Sequence, residues 1–159
     1  MTYEAELARQ TDYRNSPMAF ALSYLNLGAG LARGPTSAGV KFEHLDSNGR
    51  RGFETPLAFF QAWSDIFFTT PSGGITDRSL RAATSVPIGA RTGPLKLQAV
   101  AHDFADSAGS QRYGSELDLA AGVRMTPRIN AEMRAAIFDG VQAGFADRTK
   151  IWLTLEARS

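Results

Sequence analysis

Two histidines and the carboxylates near them are the residues of this sequence that could most readily take part in catalysis. His102 is followed directly by Asp103, and a histidine beside a carboxylate is a common arrangement for general acid–base catalysis. In an extended strand, however, consecutive side chains point to opposite faces, so His102 and Asp103 cannot easily form a hydrogen-bonded dyad. His44 has no matching carboxylates, and the chain has no cysteine. The sequence therefore predicts no catalytic centre, no metal site and no cofactor.

A larger set of charged residues lies at alternate positions of strand-like segments. Its members are Lys41, Arg81, Lys96, Arg112, Glu116, Asp118, Arg124, Glu132 and Arg134. Side chains of both signs suit a water-filled lumen, where arginines attract anionic groups and carboxylates pair with the arginines. The same pattern could form the solvated face of a soluble antiparallel sheet. A closed soluble barrel of eight strands would instead need apolar filling, which favours the lumen.

The elements that must position these charges are strands, because apolar and polar residues alternate with a period of two. The alternation is clearest over 111–125, 128–138 and 148–158, and it recurs over about 2–12, 17–32, 36–46, 76–90 and 94–104. Tight turns at 33–35, 91–94 and 126–127 alternate with longer loops at 13–16, 47–75, 105–110 and 139–147. The prediction is an all-β, antiparallel up-and-down meander of about eight strands, with the loop pattern of an outer-membrane barrel.

The longest loop, about 47–75, is rich in aromatic residues. It contains Phe53, Phe59, Phe60, Trp63, Phe67 and Phe68, whose exposure to water would be costly, so we expect the loop to be covered. Thr55 is a suitable N-cap and Pro56 a suitable first helical residue, which predicts a helix over about 56–68. We expect Phe59, Phe60, Trp63 and Phe67 to narrow the lumen as a constriction.

Several motifs occur in a defined order along the chain. They are Thr55-Pro-Leu-Ala, Ala62-Trp-Ser-Asp, Thr70-Pro71, Gly74-Ile-Thr-Asp77, Gly93-Pro-Leu-Lys-Leu, His102-Asp-Phe-Ala-Asp106, Tyr113-Gly-Ser-Glu-Leu-Asp118 and Lys150-Ile-Trp-Leu-Thr-Leu-Glu156. Together they resemble the alginate export family of bacterial outer-membrane β-barrels. The resemblance implies a porin-like channel or exporter in a Gram-negative outer membrane, for polar solutes that include anionic, polysaccharide-like ones.

Members of that family are longer, begin with a secretory signal and have more strands ahead of this region. The resemblance therefore predicts that residues 1–159 are a single domain, the C-terminal part of a larger transmembrane barrel. The implied partners are outer-membrane lipid, a polar or anionic solute and the barrel-assembly machinery.

Composition narrows the alternatives. The chain has 17 basic and 16 acidic residues, a formal net charge of +1, which argues against nucleic acid as a partner. The sequence contains no run of about 18 apolar residues, so it predicts no membrane-spanning helix. The strands of a transmembrane barrel give a weaker signal, in which apolar residues alternate with polar ones. The alternative function is a structural or ligand-binding β-barrel without a conducting path, either a small membrane anchor or a soluble carrier.

Overall fold

A computed structural model describes residues 1–13, 19–54, 62–89 and 92–158 of the chain. It has eight strands: β1 (Thr2–Thr11), β2 (Ala21–Arg33), β3 (Thr36–Leu45), β4 (Ile75–Val86), β5 (Leu95–Ala105), β6 (Arg112–Thr126), β7 (Ile129–Gly140) and β8 (Arg148–Ala157). Within the described ranges there is no helix, and hence none long and apolar enough to cross a membrane. The predicted all-β fold is confirmed, and most strand ends lie within a few residues of the predicted ones.

The strands form one sheet in the order of the chain, and each pairs antiparallel with its neighbours. Among the described residues, β1 and β8 are not paired with each other, so the sheet is open. The predicted up-and-down meander is therefore confirmed, and the sheet has two free edges. The backbone groups on the outer sides of β1 and β8 have no strand partner in this sheet.

The connections differ in length at the two ends of the sheet. At one end, which we call the short-turn end, Gly34 and Pro35 join β2 to β3. Gly34 has φ of 58°, a left-handed conformation that glycine adopts without a side-chain clash. At the opposite, long-loop end, the connections are 12–20, 46–74, 106–111 and 141–147. The β4–β5 connection at the short-turn end is longer than predicted, because β4 stops at Val86 before Pro87, which cannot donate to a ladder.

Register assigns each strand residue to one of two faces, because residues directly opposite each other in an antiparallel pair share a face. Glu43 lies opposite Asp77, and His102 lies opposite Glu116, on the face we call the polar face. The other face, which we call the apolar face, carries pairs such as Val40 with Leu80. The same separation continues across all eight strands.

The hydrophobic core lies on the polar face at the long-loop end. It consists of Leu22, Tyr24, Leu45, Phe53, Ala62, Phe67, Ile75, Phe104, Tyr113 and Phe138. Phe53, Ala62 and Phe67 come from the 46–74 connection, while the others come from the strands themselves. Phe53 and Phe67 are thus covered, as the composition of the loop predicted, whereas Phe68 is exposed.

The predicted helix over 56–68 is wrong where it can be compared. Residues 62–68 form turns and irregular backbone, and Asp65 has φ of 55°, outside the right-handed helical region. The backbone N–H groups of Trp63 and Ser64 donate to carboxylates on β6 instead of entering a helical ladder. Residues 55–61, with Phe59 and Phe60, lie outside the described residues.

Candidate functional site

Residues 62–68, which we call the docking segment, are bound to β6 by hydrogen bonds. The Ser64 N–H donates to Glu116 Oε1 at 2.7 Å, and the Trp63 N–H donates to Asp118 Oδ2 at 3.2 Å. The Ser64 hydroxyl donates to the second oxygen of Glu116. All three polar side chains are nearly inaccessible, with 0% of Ser64, 3% of Glu116 and 1% of Asp118 exposed. These three hydrogen bonds to buried side chains fix the segment at a defined position on the sheet.

The same segment is held from β8. Arg148 Nη1 donates to the carbonyl oxygens of Ser64 and Asp65 at 3.1 and 3.2 Å, and Lys150 Nζ lies 2.6 Å from Asp65 Oδ2. Between these anchors, the guanidinium carbon of Arg134 lies 5.2 Å from the centre of the Trp63 ring, a cation–π contact. The docking segment thus bridges β6, β7 and β8 across the polar face.

Phe67 anchors the end of the docking segment in an aromatic cluster. Its ring centre lies 4.9 Å from that of Phe104, 6.1 Å from Phe138 and 5.1 Å from Phe145. Only 6% of Phe67 is exposed. Of the residues expected to narrow a lumen, Phe67 is therefore packed inside the loop's own core, whereas the half-buried Trp63 remains at a cavity wall.

A second polar network lies beside the docking segment. His102 Nδ1 lies 2.9 Å from Asp77 Oδ2, and His102 Nε2 lies 3.7 Å from Asp118 Oδ2. His102, which does not pair with the adjacent Asp103, thus pairs with Asp77, a carboxylate on β4 that lies 25 residues earlier in the chain. Among the described residues, no group of three or more His, Asp or Glu side chains is arranged to hold a metal ion.

Most of the charged residues predicted from the alternation are brought together. Strand register places Lys41, Arg81, Lys96, Glu116, Asp118, Arg124, Glu132 and Arg134 on the polar face. They differ in environment: Glu116 and Asp118 are buried beneath the docking segment, whereas Arg81, Lys96 and Arg124 are exposed towards the short-turn end. Arg134 is ion-paired with Glu132, and Lys41 Nζ lies 3.5 Å from Glu43 Oε2.

Arg112 differs from this prediction, because it lies on the apolar face. The pairing of β5 with β6 shifts between Phe104 and Ala105, so Phe104 opposes Gly114 and Ala105 opposes Arg112. Tyr113 is the extra residue of this bulge, and an extra residue reverses the face of those beyond it. Arg112 Nε accordingly donates to Asp103 Oδ1 at 2.6 Å.

The exposed cations adjoin open cavities on the polar face. One, of about 690 Å³, is lined by Lys96, Arg124, Asn130 and Glu132, together with Glu156 and other residues of the short-turn end. A second, of about 540 Å³, extends over β1 to β6 and reaches Trp63. Arg81, which lines this second cavity, donates to the Gln98 side chain at 2.9 Å. Arg81, Lys96 and Arg124 form no ion pair within the described part of the chain.

Asp106 fixes the loop 106–111, which follows β5 and lies beside Gly73 of the aromatic loop. It accepts hydrogen bonds from the Ser110 N–H and hydroxyl, both at 2.6 Å, and from the Gln111 N–H at 3.1 Å. Burial alone would raise the pKa of Asp106, but these hydrogen bonds outweigh burial and lower its pKa below the usual value. The loop in turn bonds to the aromatic loop, since the Ser107 N–H donates to the Gly73 carbonyl at 3.0 Å.

No family model matches this chain, and no curated protein or solved structure matches it either. The site must therefore be interpreted from its own geometry.

Proposed function

We propose that this chain forms part of the wall, together with an inward-folded constriction, of a passage for polar solutes across a bacterial outer membrane. The proposed barrel is of the alginate export type, as the ordered motifs suggest. The observation that carries the proposal is the apolar face. Every strand contributes at least one exposed large apolar side chain to it: Leu7, Leu27, Val40, Leu80, Leu97, Leu119, Met133 and Leu153.

The exposure of this belt is extensive, reaching 77% for Leu7 and 82% for Leu153. Soluble monomers rarely expose contiguous apolar patches above a few hundred Å², because leaving such surface in water costs about 25 cal/mol per Å². The lipid interior removes that cost. An apolar outside with a polar inside is the side-chain arrangement of transmembrane barrels.

The polar face supports the proposed passage. It carries charges of both signs, and Arg81, Lys96 and Arg124 are exposed towards the short-turn end. Exposed guanidinium and ammonium groups on a lumen wall attract anionic solutes, and acidic neighbours such as Glu132 limit how tightly those solutes bind. An acidic polysaccharide is the solute class that the resemblance adds.

The docking segment supports a barrel of more than eight strands. An eight-stranded barrel has room for its own inward side chains only. Here the segment 62–68 and the aromatic cluster around Phe67 occupy the polar face above β5 to β8. The open sheet agrees with a wall that further strands complete.

Cysteine accessibility tests the proposal directly, because the described part of the chain has no cysteine to be removed. Leu119→Cys and Ala120→Cys place single thiols at adjacent positions on the apolar and polar faces. In protein refolded into lipid vesicles, a membrane-impermeant maleimide should label position 120 and leave position 119 unlabelled. Equal labelling of both positions would refute lipid contact.

The alternative, a barrel without a conducting path, is favoured by one observation. The docking segment is bound by buried carboxylates and packs through Phe67, as expected for a fixed plug. Planar-bilayer recordings of the complete barrel separate the two functions. Stepwise conductance supports the passage, and inserted protein without conductance supports the plugged barrel.

A further inference from the structure

Three charged side chains form a cluster on the apolar face at the long-loop end. Asp103 Oδ1 accepts from Arg112 Nε at 2.6 Å, and Asp103 Oδ2 lies 3.7 Å from Arg78 Nη1. All three remain accessible, with side-chain exposures of 59% for Arg78, 50% for Arg112 and 39% for Asp103. Two guanidinium groups thus share one carboxylate, which leaves a net positive charge in this part of the apolar face.

These side chains lie close to the long-loop ends of their strands. Arg78 is near the start of β4, Asp103 is near the end of β5, and Arg112 begins β6. Charged residues on a lipid-facing surface are costly at the middle of a bilayer and nearly free of cost at its interfaces. In the proposed orientation the trio therefore lies at headgroup height.

An apolar groove continues from the trio towards the middle of the sheet. It has a volume of about 710 Å³ and is lined by Leu27, Val40, Phe42, Leu80 and Ala101, with Arg78 and Asp103 among its walls. Phe42 lies directly opposite Arg78 in the β3–β4 register, so the guanidinium is next to the apolar wall. A hydrocarbon chain in this groove would place its polar end beside the arginines.

We propose that Arg78 and Arg112 bind the phosphate of a lipid with a net-anionic headgroup, while an acyl chain of the same lipid occupies the groove. Guanidinium groups match phosphate oxygens with two parallel N–H donors. The continuity of the cationic trio with the apolar groove selects a lipid over free phosphate as the occupant. This inference rests on the proposed membrane location of the chain.

Spin-labelled lipids measure the selectivity of the lipids that contact the protein. The complete barrel is refolded into phosphatidylcholine vesicles, and the motionally restricted fraction of spin-labelled phosphatidylglycerol is compared with that of spin-labelled phosphatidylcholine. We expect a preference for phosphatidylglycerol of roughly fivefold. This ratio is the one expected from the attraction between one net basic residue and an anionic membrane surface. Arg78→Gln with Arg112→Gln should remove most of the preference, and Arg78→Lys with Arg112→Lys should retain part of it.

Arg124→Gln is the matched control, because it removes a guanidinium from the polar face and should leave the lipid preference unchanged. An unchanged preference in the Arg78→Gln, Arg112→Gln variant overturns the lipid site. The lipid site is also overturned if inorganic phosphate removes the preference and sodium chloride of equal ionic strength does not. That result would indicate a site for free anions. Failure of the complete wild-type barrel to insert into either lipid counts against the proposed membrane function instead, since the lipid site requires insertion.

Discussion

Truncation of Phe67 should release the docking segment from the sheet. The side chain is 6% exposed and lies within 4.9 to 6.1 Å, between ring centres, of four other aromatic rings. Replacing a phenylalanine by alanine in such a core costs about 3–5 kcal/mol. Because every 1.4 kcal/mol is about a factor of ten, the population of the released segment should rise between about a hundredfold and a few thousandfold.

Tryptophan fluorescence during urea unfolding in lipid vesicles measures this change in a Trp152→Phe background, where Trp63 of the docking segment is the remaining tryptophan. The matched control is Phe68→Ala, at a neighbouring side chain that is 60% exposed. Because most of Phe68 is already exposed, its truncation should cost less stability than that of the buried Phe67. Equal losses from Phe67→Ala and Phe68→Ala would contradict the packing described for Phe67. Unchanged conductance in the Phe67→Ala protein, once fluorescence shows release, would refute the constriction.

Three further predictions concern the faces and the loop 106–111. Leu119→Arg should destabilise the vesicle-inserted protein by about 2–4 kcal/mol, the cost of arginine near the bilayer midplane, and an equal cost for Ala120→Arg in the same urea titration would contradict the assignment of faces. Arg81→Glu combined with Arg124→Glu should shift the ion preference of the complete barrel towards cations, and an unchanged reversal potential would exclude these residues from the lumen. Asp106→Asn should lower stability at neutral pH, because the depressed pKa of Asp106 means that its ionised form stabilises the fold. That contribution is fully present above the ordinary carboxyl pKa of about 3.9 and is lost as pH falls through the lower pKa of the folded state. The free energies of unfolding of the wild type and the variant should therefore converge in acid. A constant difference between them at every pH would contradict the role of this carboxylate.

The strands could be predicted from sequence because their chemistry repeats locally. On β6, Glu116 and Asp118 alternate with Leu117 and Leu119, and the structure assigns these pairs to opposite faces. A period of two is read over a few residues and needs no knowledge of distant partners. The fold class, the strand order and most of the charged polar face follow from it.

The docking segment could not be predicted in the same way. The carboxylates that accept hydrogen bonds from the N–H groups of Ser64 and Trp63 lie 52 and 55 residues further along the chain. Local capping signals at Thr55 and Pro56 favour a helix, but they contain no information about acceptors so distant in sequence. The anchoring roles of Arg148 and Lys150 were missed for the same reason.

Local irregularity explains the remaining differences. The bulge at Tyr113 moves Arg112 to the apolar face, and the only sequence signal for it is Gly114 near the start of β6, since glycine in a strand often marks a bulge. The pairing of His102 with Asp77 depends on the β4–β5 register, in which the two residues are diagonal neighbours. Neither contact is visible from adjacent residues alone.

The free edges of the sheet have a consequence for handling the isolated chain. β1 runs towards the long-loop end and β8 runs away from it, so the β8 edge of one molecule can extend the β1 edge of another in the antiparallel sense. Uncovered edges with apolar neighbours are templates for strand addition. Away from lipid, we therefore expect these edges to be the sites at which molecules associate with one another.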